Sequence, residues 1–169
     1  MKKCILLVLL MLAPMAWATT GSCVVTDVTS TQNVNNMTPD PETVIVTLVC
    51  TGGSDGSISN TTVPVTGYYP YSYLNAYNLT GYILYQVGRK PGTTAPTASY
   101  TVVITDSRGF AVDLGLLTTN GSASAAQLTT MVSSPMSYPV VRGALTVAVL
   151  ANSVASAGIT LDLIFRTRP

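Results

Sequence analysis

Histidine is missing from this sequence altogether. That absence removes the usual general base near neutral pH, the Ser-His-Asp arrangement and most zinc sites. Charge is scarce too: Asp, Glu, Lys and Arg make up 9% of the chain, eight basic residues against seven acidic. With no basic block, nucleic-acid binding lacks its electrostatic footprint. The single tryptophan is Trp17, inside the leader described below, so the rest of the chain lacks the ring that sugar-binding modules use most readily. Beyond that leader, no apolar run approaches the roughly 20 residues a membrane-spanning helix needs.

The seven acids are Asp27, Asp40, Glu42, Asp55, Asp106, Asp113 and Asp162. A glycosidase needs two carboxyls facing one cleft, about 5–9.5 Å apart. Asp106 and Asp113 could approach across "DSRGFAVD", but aspartates in such stretches ordinarily hold turns, and that is the role expected of them. No D-x-D-x-D-G loop offers calcium a site, and no Gly-rich phosphate loop follows a strand. The sequence therefore predicts no catalytic residue, no metal site and no cofactor: not an enzyme.

The N-terminus reads as an export signal. Lys2 and Lys3 precede the apolar run "ILLVLLML" (5–12), and Ala16 and Ala18 supply the small residues of an A-x-A cleavage site. The run is too short to span a bilayer; an uncut N-terminal anchor is the alternative. Cleavage after Ala18 removes eighteen of the 169 residues and both leader lysines, leaving 151 residues with six basic and seven acidic side chains. A chain of that size is expected to form one domain, 19–169, in a secreted, periplasmic or cell-surface setting. Near-zero net charge does little to keep copies apart.

Three cysteines become two when Cys4 leaves with the leader. "CVVTDVT" (23–29) and "ETVIVTLVC" (42–50) both look like strands. Paired antiparallel, the start of the first meets the end of the second, which sets Cys23 opposite Cys50. The expected disulfide would stabilise by roughly 3–4 kcal/mol, mainly by restricting the unfolded chain. Lipidation of Cys23 is the rival, but "TTGS" lacks the apolar residue a lipobox needs.

Short runs rich in Val, Ile, Thr and Tyr recur along the chain, cut by Gly, Pro, Asn and Asp. "TTVPVTG" is a weak strand that Pro64 assigns to an edge. "GYILYQV" (81–87), "SYTVVITD" (99–106) and "FAVDLGLL" (110–117) follow, with a tight turn at "DSRG". Tyr100, Val102 and Ile104 share one face. "ASAAQLTTM" (123–131) is the one place for a short helix. "ALTVAVLAN" (144–152) and "AGITLDLIFR" (157–166) read as a hairpin, the latter alternating Ile159, Leu161, Leu163 and Phe165 on one side. About eight strands without covering helices must bury their apolar faces on each other. The fold class is therefore all-β, a single antiparallel β-sandwich of Ig-like or jelly-roll-like kind, with a small barrel as the alternative.

Seven of the nine tyrosines fall in "TGYYPYSYLNAYNLTGYILYQV" (66–87). Tyr82 and Tyr85 belong to a strand and are expected in the core. Tyr68, Tyr69, Tyr71, Tyr73 and Tyr77 sit with Gly67, Pro70 and Asn75 in a segment that reads as an irregular loop. Such rings give large contact area at low entropy cost. The loop can close one end of the sandwich, meet another subunit or partner, or stack on a sugar. Asn36, Asn60, Asn78 and Asn120 each open an N-x-[ST] sequon, used only if the host glycosylates.

Tyr85 and Val87, "PGTTAPT" (91–97), "SYTVVITD" and the turn carrying Gly109, Asp113 and Gly115 together resemble small, uncharacterised β-rich proteins encoded among the virion genes of tailed bacteriophages. "NGSASAAQ" (120–127) and "PVVRGALTVAVLANSVASAGITLDLIF" (139–165) continue the likeness, which spans 81 to 166. The resemblance implies a structural β-sandwich, a virion decoration or assembly component, and carries over no catalytic residue. Two features depart from that pattern: the export signal with its disulfide, and the tyrosine segment. The sequence thus predicts an exported, non-enzymatic structural or assembly protein that self-associates or meets another surface or virion protein. A secreted adhesin or glycan-binding module using 68–77 is the alternative.

Overall fold

A computed structural model describes residues 19–31, 43–64, 66–69, 72–117, 121–131 and 139–167. The leader reading, Tyr71 and the sequons at Asn36 and Asn120 lie outside them. The fold is all-β, with ten strands among the described residues: β1 (Ser22–Thr31), β2 (Thr43–Thr51), β3 (Thr61–Val63), β4 (Thr66–Tyr69), β5 (Ser72–Asn78), β6 (Ile83–Pro91), β7 (Thr101–Asp106), β8 (Gln127–Thr130), β9 (Leu145–Leu150) and β10 (Gly158–Arg166). Eight of them make two antiparallel sheets, ordered β1-β2-β10-β6-β8 and β3-β9-β7; β4 and β5 pair only with each other. The sheets do not close into a barrel, and a β-sandwich is the architecture.

Strict alternation builds the larger sheet. In β10, Ile159, Leu161, Leu163 and Phe165 are all buried while Thr160, Asp162 and Ile164 keep partial exposure. Its neighbour β2 matches it residue for residue, Leu161 facing Leu48 and Leu163 facing Val46, so the two inward rows merge. In the smaller sheet, Val102 and Ile104 of β7 and Leu145 and Val147 of β9 complete one core. Burying a side chain of this kind stabilises by about 1.5–3 kcal/mol. Cys23 pairs with Cys50 in register, and their sulfurs are bonded across 27 residues of sequence.

Several expectations need correction. The described residues of 68–77 are strand, not irregular loop: Thr66 pairs with Asn78, Gly67 with Tyr77 and Tyr68 with Ala76. Tyrosine suits a pleated strand, and Gly67 and Asn75 do not outweigh it. "FAVDLGLL" is bends and turns rather than a strand, because Leu114 (φ 53°) and Gly115 (φ 69°) take left-handed backbone and stop extension. "ASAAQLTTM" forms no helix; its second half is β8, pairing with β6. The final hairpin does not exist either, since β9 and β10 belong to different sheets. Their connection is held elsewhere: Asn152 donates from Nδ2 to the Gly56 carbonyl (2.7 Å) and accepts from the Thr97 amide (2.9 Å). With Ala151 and Ser156 in left-handed backbone, the chain turns across the layers instead of back on itself. Tyr82 is in the core, but Tyr85 faces outward under the Arg166 guanidinium, 4.1 Å from its ring centroid.

The four sheet edges differ. β1 carries a bulge between Val25 and Asp27. β3 is three residues long and followed by Pro64. β7 is covered by 110–117 and Gly121, through Val112 to Ile104, the Leu117 carbonyl to Val102, and Tyr100 to Gly121. β8 has none of these devices within its own four uncharged residues, and its Leu128 is 61% exposed.

Candidate functional site

The predicted contact residues divide by position. Tyr68 and Tyr69 lie on β4, Tyr73 and Tyr77 on β5, so one antiparallel ribbon carries four of the five. Its register shifts between Tyr68 and Tyr69, the latter pairing with Ser72. The ribbon leads into Asn78, whose Oδ1 accepts from the Thr80 amide, and then into buried Leu79. Two anchored strands therefore flank the tyrosines: β3 before them, through its pairing with β9, and β6 after them.

The two aspartates considered for catalysis are both turn residues, with opposite environments. Asp106 accepts hydrogen bonds from the Arg108 and Phe110 amides at 2.9 and 3.0 Å and an ion pair from Arg108 Nη2 at 3.1 Å. Burial alone pushes its carboxyl up, but those donors outweigh it and hold the group below its ordinary value. Gly109 (φ 82°) permits the tight return of the chain. Asp113 is fully buried; its Oδ1 accepts from the Gly115 amide at 3.5 Å and its Oδ2 has no hydrogen-bond partner. Burial raises its pKa, and the nearby backbone donors do not compensate. No ion pair or hydrogen bond joins the two, and among the described residues no cluster of His, Cys, Asp or Glu could hold a metal.

Sequence reasoning missed Arg89. Ending the strand at Val87 left it in a loop, yet β6 continues to Pro91 and the period of two carries Arg89 onto the same inward face as Val87. Its side chain is 4% exposed. Nη2 donates to Thr129 Oγ1 at 3.4 Å, while Nε and Nη1 have no partner. Tyr100, wholly buried at the start of β7, has an equally unpartnered hydroxyl. Burial raises that phenol's pKa, and the charge of Arg89 acts against the rise.

The chain finds no match among protein-family models, curated proteins or solved structures.

Proposed function

We propose that this chain is an exported, non-enzymatic β-sandwich with a structural or assembly role. The observation that carries the reading is the tyrosine ribbon, a hairpin that belongs to neither sheet of the sandwich. The β8 edge supports it with a second contact surface, uncharged and bearing exposed Leu128. Export is supported by the Cys23–Cys50 disulfide, a bond that persists in oxidising compartments. No helix among the described residues is long and apolar enough to cross a membrane. The likeness to phage virion proteins supports self-association or contact with another virion or surface protein.

Size-exclusion chromatography with light scattering on residues 19–169 tests this reading. Association that weakens when Tyr69, Tyr71 and Tyr73 become Ser supports it; a strict monomer at high concentration contradicts it. A secreted adhesin or glycan-binding module is favoured by the same crowding of aromatic rings. Glycan-array binding by a monomer, lost in that triple variant, would select it.

A further inference from the structure

Arg89 is the one basic side chain among the described residues that is buried, and no acid among them forms an ion pair with it. Asp106 is engaged by Arg108. Asp113 sits with Gly115 and forms no ion pair with Arg89. Asp162 follows Leu161, the β10 partner of Arg89, so alternation sends it to the outer face, where its Oδ1 accepts from Thr47 at 2.7 Å. Asp27 pairs with Thr47 on that same outer side, three strands from β6. Asp55 holds the Ser57 turn.

A buried cation without a counter-charge costs several kcal/mol, so a fold that keeps one gains by binding an anion beside it. Three side chains here can donate: Arg89, Thr129 to which it is hydrogen-bonded, and Tyr100, whose phenol feels the Arg89 charge. Arg89 offers Nε–H and the Nη1–H groups, Tyr100 its hydroxyl, and Thr129, already accepting from Nη2, still has its own O–H to give. The guanidinium Nε–H and Nη1–H, which no described acceptor meets, call for a negatively charged one. The place is held rigidly: Gly121 bridges Tyr100, and a Cβ at Gly121 would fall on the Tyr100 carbonyl and ring. It also lies near a way in, since Arg89 pairs with half-buried Gln127 on β8, the outermost strand of its sheet.

We propose that Arg89, Tyr100 and Thr129 bind a small anion, of the size of chloride or acetate, between the two sheets. The site is independent of the assembly reading. Filling it neutralises the guanidinium and couples the β6–β8 pair of one sheet to the start of β7 in the other.

Thermal unfolding of residues 19–169 in sodium chloride, sodium acetate and sodium gluconate at equal ionic strength tests the site. The melting temperature is expected to climb about 3–5 °C per tenfold rise in chloride above its Kd, and not in gluconate, which is too large to enter. Tyr100→Phe flattens the slope and Arg89→Met abolishes it. Crystals soaked in sodium bromide should show an anomalous peak bonded to Arg89 Nε or Nη1. Should Arg89→Met not fold, Tyr100→Phe and the bromide soak decide. Equal slopes in chloride and gluconate, or water alone beside Arg89, overturn the proposal. So does a bromide peak without any chloride-dependent stability, which marks an adventitious ion only.

Discussion

The sandwich and the tyrosine ribbon obey different rules. Each long strand of the sandwich spends its inward row on the core, as Ile159, Leu161, Leu163 and Phe165 do, and each central strand is paired on both sides. The ribbon joins two strands to each other and to no sheet. The first pattern is what stability demands. The second, rich in rings and poor in pairing, is what recognition uses. If that contrast is right, mutations in the sandwich should cost folding, and mutations in the ribbon should cost contacts while sparing the fold.

The sharpest way to break the contrast is to damage the core. Phe165→Ala should destabilise by about 3–5 kcal/mol, read from urea unfolding. A loss below 1 kcal/mol would mean the inward row of β10 is not the core it is taken for. Next comes the clasp. Replacing both Cys23 and Cys50 by Ala should cost about 2–5 kcal/mol and leave the strand content unchanged by circular dichroism.

Smaller effects separate the two aspartates. The folded pKa of Asp106 is lowered from 3.8, so its contribution is complete above 3.8 and is lost as pH falls through the depressed value. Asp106→Asn should lower the melting temperature at pH 7 and erase that part of the acid limb. Asp113 has the opposite sign. Its folded pKa is raised from 3.8, so the stability it contributes is present below 3.8 and is lost as pH rises through the raised value. Asp113→Asn should therefore be at least as stable as the parent at pH 7, and its melting temperature should not fall across that acidic range. A clear loss of stability at pH 7 would show that the ionised carboxylate has a partner after all.

Most of the sandwich was legible because period-two alternation is a local signal: the faces of β7 and β10 and the register of Cys23 with Cys50 follow from neighbouring residues alone. Sheet membership was not legible. β9 and β10 look like a hairpin because sequence neighbours usually pair, and only long-range anchors such as Asn152 to Gly56 and Thr97 send them to different layers. The "FAVDLGLL" segment has strand composition but left-handed backbone at Leu114 and Gly115, which depends on how it wraps the β7 edge. The tyrosines declared themselves by number, whereas their ribbon was hidden by Pro70 and Asn75. Arg89 was hidden by where the strand was thought to end; continuing the alternation two residues past Val87 would have found it.

The ribbon carries the smallest expected effect on stability and the largest on function. Tyr69, Tyr71 and Tyr73 changed together to Ser should leave the melting temperature of residues 19–169 within about 1–2 °C of the parent, if the ribbon serves contacts rather than the fold. Light scattering on the parent and this variant over a wide concentration range tests the central claim most directly. The account predicts an associating parent and a folded variant shifted toward monomer; a parent that stays monomeric throughout, or a variant that associates equally well, would contradict it.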